Sequence, residues 1–138
     1  MSKVINRSLQ LSTLLMVFLA AASVTAKPIH PYAEPIALGE QTVDVSAMLT
    51  AAFEATPWTL AKENDALYLG MLSYKGFDVQ VRISVVDNVL TLTLDSVTET
   101  GCGGNCKDLG EKPALRWIVG LRRNITVELT LRVRDSLQ

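Results

Sequence analysis

At 138 residues the chain has length for one domain and not for two, and its 13 basic and 14 acidic side chains nearly cancel. That balance excludes a general electrostatic grip on nucleic acid or on anionic lipid. One histidine and two cysteines offer no convergent set of metal ligands, and no cofactor motif is present.

Residues 1–26 read as a cleavable signal peptide. Lys3 and Arg7 give a basic start, and no acid precedes Glu34. The apolar stretch that follows is densest over residues 14–22, and Ser23-Val24-Thr25-Ala26 puts small residues where signal peptidase inspects them. A membrane-spanning helix needs roughly 20 apolar residues. Ser12, Thr13 and Ser23 bracket about half that, which favours cleavage over a retained anchor. No cysteine sits near the exit to take a lipid. Cleavage after Ala26 leaves 112 residues in which 11 basic side chains face 14 acidic ones, because Lys3 and Arg7 are lost and no acid is. The expected location is a bacterial periplasm or the exterior, with no stable membrane insertion after cleavage.

Residues 27–42 hold Pro28, Pro31 and Pro35 and little apolar periodicity. Proline fixes φ and removes a donor, so a semi-extended leader is expected here rather than a helix. A first helix should begin near Asp44 or Ser46, since Met48, Leu49, Ala52 and Phe53 form one apolar stripe. Thr56-Pro57 stops it, because the residue before proline avoids helical angles.

Four strand-like runs follow, over about residues 58–62, 66–74, 77–85 and 90–95. The third alternates strictly, with Phe77, Val79, Val81, Ile83 and Val85 on one face and Asp78, Gln80, Arg82 and Ser84 on the other. The fourth sets Leu90, Leu92 and Leu94 against Thr91, Thr93 and Asp95. Short polar turns at residues 63–65, 75–76 and 87–88 argue an antiparallel meander. A glycine-rich loop over residues 98–112 leads to Pro113, which suits a first helical position. Leu115, Ile118, Val119, Arg122, Ile125 and Leu129 keep helical spacing, so a second helix is expected to about Leu129. The tail fits a strand as well, through Ile125, Val127, Leu129, Leu131 and Val133. A sheet with one apolar face needs a cover. The expected fold is therefore α+β: a four-stranded antiparallel meander with two helices packed on one face, in the order α-β-β-β-β-α.

Trp58 directly after the first helix, the meander, Asp95-Ser96 near its end and Arg116-Trp117-Ile118 opening the second helix resemble a family of small bacterial periplasmic proteins and lipoproteins of unknown function. The resemblance covers about residues 43–129. The chain departs from that pattern in lacking a lipidated cysteine and in carrying Val97-Thr98 where an Asn-Leu pair is expected. It implies a fold and a compartment and no activity.

Gly101-Cys102-Gly103-Gly104-Asn105-Cys106 is the sharpest local feature. In an oxidising compartment, Cys102 and Cys106 are expected to form a disulfide that shapes the loop. A redox role is the rival reading, although redox pairs usually sit as C-x-x-C at a helix start. His30 lies alone in the leader. Trp58 and Trp117 are read as capping the core, with ligand binding as the alternative. Arg116, Arg122 and Arg123 form either an anion patch or a solvated face that complements the helix dipole. Asn124-Ile125-Thr126 matches a glycosylation acceptor by chance. Asp78, Asp87, Asp95 and Glu99 are scattered, and no acid–base pair is assignable.

The functional expectation is a non-enzymatic binding or accessory module. The alternatives are a thiol-disulfide protein and a secreted inhibitor-type protein. A partner, or a second copy, is expected on the uncovered sheet face through Tyr68, Leu72, Tyr74 and Arg82, with Gln80, Ser84, Thr91 and Thr93 around them.

Overall fold

The computed structural model describes residues 30–40, 42–101 and 111–138. A 3-10 turn at Pro31–Ala33 leads into β1 (Ile36–Ala37) and α1 (Val45–Glu54). The meander β2 (Thr59–Asn64), β3 (Leu67–Tyr74), β4 (Phe77–Val86) and β5 (Val89–Glu99) follows, and α2 (Lys112–Ser136) closes the chain. The strands form one antiparallel sheet in the order β1-β5-β4-β3-β2.

The class is the expected α+β, with five strands in place of four. The additional strand comes from the proline-rich leader. Pro31 starts the 3-10 turn, where its missing N–H costs nothing, and His30 Nδ1 accepts from the Tyr32 backbone N–H at 3.4 Å. Ile36 and Ala37 keep their own N–H groups and pair with Leu90 and Val89. Ile36 and Leu38 are both buried in the core. The leader is thus an edge strand as well as a brace. Two residues are too few to announce themselves by alternation.

Local chemistry places each boundary. The Asp44 side chain accepts from the Ala47 N–H at 3.0 Å and caps α1. The Thr56 hydroxyl donates to the Phe53 carbonyl at 2.8 Å and accepts from the Trp58 N–H at 3.2 Å, turning the chain from α1 into β2. Lys75 and Gly76 have φ of 51° and 80°, and Asp87 and Asn88 have 50° and 60°. Two left-handed residues in a two-residue loop make the tight hairpin turn that matches strand twist. α2 runs unbroken to Ser136, past the expected Leu129. Ile125, Leu129 and Val133 recur every four residues and pack on the core, so the tail satisfies helical as well as strand spacing. Extending an existing helix avoids the cost of nucleating a new element.

The β4 pattern sorts the two faces of the sheet. Val79, Val81 and Ile83 are buried with Leu90 and Leu92 beneath the helices, against Met48, Leu49, Phe53, Ile118 and Ile125. Register then fixes β3. Tyr68 pairs with Ile83, Gly70 with Val81, Leu72 with Val79 and Tyr74 with Phe77, so all four β3 residues point to the helix-covered side. Tyr68 is 1% exposed and Leu72 3%. The expectation that Tyr68, Leu72 and Tyr74 lie on the uncovered face is therefore corrected. Both alternate rows of β3 are apolar, and the row that faces solvent is Leu67, Leu69 and Met71. Pairing with β4 decides between them, and a shift by one residue would turn the wrong row inward.

Candidate functional site

Of the four residues expected to carry the partner surface, Arg82 alone stands on the uncovered face, with Gln80, Ser84, Thr91 and Thr93 beside it. Its guanidinium pairs with Asp95 at 2.9 Å, and the Gln80 side-chain amide donates to the same carboxylate at 3.1 Å. Asp95 sits at the register shift between β4 and β5, where Gln80 and Val81 face Ser96 and Leu94. A bulge adds an unpaired residue to one strand, and here that residue is Asp95. Three polar side chains of this face, Gln80, Arg82 and Asp95, are thus bonded to one another.

Cys102 and Cys106 lie outside the described residues. His30 caps the 3-10 turn, and among the described residues no group of three histidine, cysteine or acidic side chains is placed to hold a metal ion. Also among them, no helix is long and apolar enough to cross a membrane. Asp78 accepts a hydrogen bond from Ser73, and Asp87 occupies a hairpin turn. Lys62 and Asp65 pair at 2.7 Å across the β2–β3 turn. The hydrogen bond from Lys62 holds the Asp65 carboxyl below its ordinary value, and Asp65 raises Lys62 in return.

The three arginines of α2 separate. Arg122 Nε donates to the Glu34 carbonyl at 3.1 Å, with the Glu34 carboxylate 4.0 Å away, so it fastens the leader to α2. Arg116 and Arg123 are exposed. Among the described residues neither has an ion-pair partner.

Those two arginines line a groove of ≈ 710 Å³ at one end of the sheet. The α1–β2 junction supplies Pro57 and Trp58, the β3–β4 hairpin supplies Tyr74 and Lys75, and α2 supplies residues from Arg116 to Val127. Antiparallel pairing brings the start of β2 beside the end of β3, and α2 lines the groove beside them. Trp117 meets Tyr74 edge-on at 5.3 Å and Phe77 at 5.7 Å. Lys75 Nζ stands 5.2 Å over the Tyr74 ring. Trp58 is buried, as expected of a core cap, whereas Tyr74 is 42% exposed. Three cations and no carboxylate line the groove among the described residues. Such an arrangement can hold an anionic group by charge-assisted hydrogen bonds and an apolar group against the rings.

Gly120 also lines the groove, in the middle of α2 and exposed. A Cβ built there would meet nothing within 4 Å. Glycine inside a helix costs about 1 kcal/mol relative to alanine. Packing within the described structure offers no return for it. Gly70 shows the opposite case, since a Cβ there would stand 3.0 Å from Phe53 Cζ and 3.7 Å from Trp58.

The sequence displayed Trp58, Trp117, Arg116 and Arg123 as candidates without joining them. It gave no sign that Tyr74, Lys75 and Gly120 belong with them. Comparison with family models, with curated proteins and with solved structures yields no match.

Proposed function

We propose that the protein is exported, is released by removal of residues 1–26, and acts in the envelope or outside the cell as a binding module without catalysis of its own. The groove between the β3–β4 hairpin and α2 is its binding site, and the ligand is acidic with an apolar side. One observation carries this reading: Lys75, Arg116 and Arg123 converge around exposed aromatic surface with no carboxylate among the described lining residues. Tryptophan, tyrosine and arginine are the residue types that dominate binding energy at interfaces.

The compartment rests on the signal-peptide pattern of residues 1–26 and on the resemblance to small periplasmic proteins. N-terminal sequencing of the exported protein should give Lys27 as the first residue, and an intact Met1 there would remove the support for export. Cys102 and Cys106 are proposed to be bonded, which thiol labelling of the denatured, unreduced protein should show as no free sulfhydryl.

The binding reading is tested with a displayed library of random 12-residue peptides. Selection on the purified protein should enrich sequences that combine Asp or Glu with aromatic or aliphatic residues. Their affinity should fall as salt rises, because exposed charges are screened. Enrichment of basic or charge-neutral sequences would contradict the proposal.

A further inference from the structure

We infer that the occupant of the groove is an extended acidic segment of another protein, whose backbone runs along α2 and passes directly over Gly120. The inference rests on the groove being the binding site and goes beyond it by naming the occupant and the point of contact.

Glycine is the poorest helix former after proline, and α2 carries one near its midpoint. Two internal reasons for a glycine are absent here. Its φ is not in the left-handed region, and no described neighbour occupies the position of a Cβ. The remaining use of a glycine is to let another backbone come close. Gly120 is placed for that use. Arg116 lies one turn before it on the same side of α2 and Arg123 one turn after, so the bare backbone stands between two guanidinium groups. A carboxylate-bearing chain running along α2 over this point would meet a donor on each side.

Size and charge select the kind of occupant. The stretch of α2 along the groove, residues 116–127, is about 16 Å long at a helical rise of ~1.5 Å per residue. That is the span of about five residues of extended chain. Tyr74, Arg116, Gly120, Arg123 and Val127 are exposed along it, so the groove is open as a track is. A small-molecule pocket would enclose its ligand instead. A second copy docking about a two-fold axis at Gly120 would set Arg116 and Arg123 of each protein against those of the other, and like charges oppose that.

The probe is a fluorescein-labelled acidic 12-residue peptide taken from the selection above, titrated by anisotropy onto the full exported protein and its variants. Gly120→Ala adds one methyl group to an unobstructed helix, so it should fold and melt at a higher temperature than wild type. The same variant should lose about tenfold in peptide affinity, and Gly120→Leu should lose measurable binding. Arg116→Glu/Arg123→Glu should lose it as well. Unchanged affinity in Gly120→Leu, with loss in the charge-reversed protein, would overturn the passage over Gly120 and leave the groove in place. Unchanged affinity in both would overturn the passage and the groove together. Self-association of the wild type that Gly120→Leu abolishes would make the occupant a second copy and overturn the inference.

Discussion

Gly70 on β3 and Gly120 on α2 differ in what surrounds them. Gly70 lies on β3 under α1, where Phe53 and Trp58 fill the space a side chain would need. Gly120 lies on the outward side of α2, where nothing does. The covered side of the sheet is thus accounted for by its own packing. Tyr68, Leu72, Val81 and Leu92 are all buried there, and the residue that is too small has a ring pressed against it. The groove between α2 and the end of β3 holds a glycine, two exposed arginines and the partly exposed Tyr74, whose arrangement is not required by the fold. Residues that the fold does not need are where binding is to be sought.

The largest effects that sharpen this contrast come from charge placed on the covered side. Val81→Asp and Leu92→Asp should unfold the domain, because both positions are 0% exposed and an unpaired carboxylate there costs several kcal/mol. Thr91→Glu, one residue away on the uncovered face, should shift the melting temperature little, as read by circular dichroism. Equal losses at Thr91 and Leu92 would mean that both faces of the sheet are covered.

The two glycines should then respond with opposite signs to the same substitution. Gly70→Ala should destabilise by about 1–3 kcal/mol, since the new methyl presses on the Phe53 ring, which is buried in the core and has little room to give. Gly120→Ala should stabilise by about 0.5–1 kcal/mol. Denaturant melts of the two variants give both values. A Gly120→Ala protein less stable than wild type would mean that the glycine serves packing after all.

The sheet faces were legible in the sequence only where one row of a strand is polar. In β4, Asp78, Gln80, Arg82 and Ser84 mark the wet row without ambiguity. In β3, Leu67, Leu69 and Met71 compete with Tyr68, Leu72 and Tyr74, and the glycine at position 70 thins the row that is in fact inside. Only hydrogen-bonded register with β4 resolves the choice. β1 was hidden because its two residues follow a run of prolines, and the end of α2 because Ile125 and Leu129 satisfy periods of two and of four alike. The groove was illegible as a unit. Its residues come from positions 55–58, 72–75 and 116–127, and antiparallel pairing together with the path of α2 is what brings them together.

The smallest expected effect lies at the β2–β3 turn, away from the groove. Because Lys62 lowers the Asp65 carboxyl, the pair's contribution is present above the ordinary carboxylate range and fades as pH falls through the lowered value. Because Asp65 raises Lys62, the same contribution fades again as pH rises through the raised lysine value. Both groups are exposed, so Asp65→Asn should leave the neutral-pH melt almost unchanged and should flatten whatever slope the pair adds at the acid end. A marked loss of stability at neutral pH would show that the turn depends on the pair.

The claim that α2 turns a binding surface outward is tested most directly by the Arg116→Glu/Arg123→Glu protein, with its thermal melt and its affinity for the selected acidic peptide measured on the same preparation. Both arginines are exposed and have no ion-pair partner among the described residues, so the melting temperature should stay close to that of wild type while peptide binding is lost. A large fall in melting temperature, or binding that survives the reversal of charge, would contradict it.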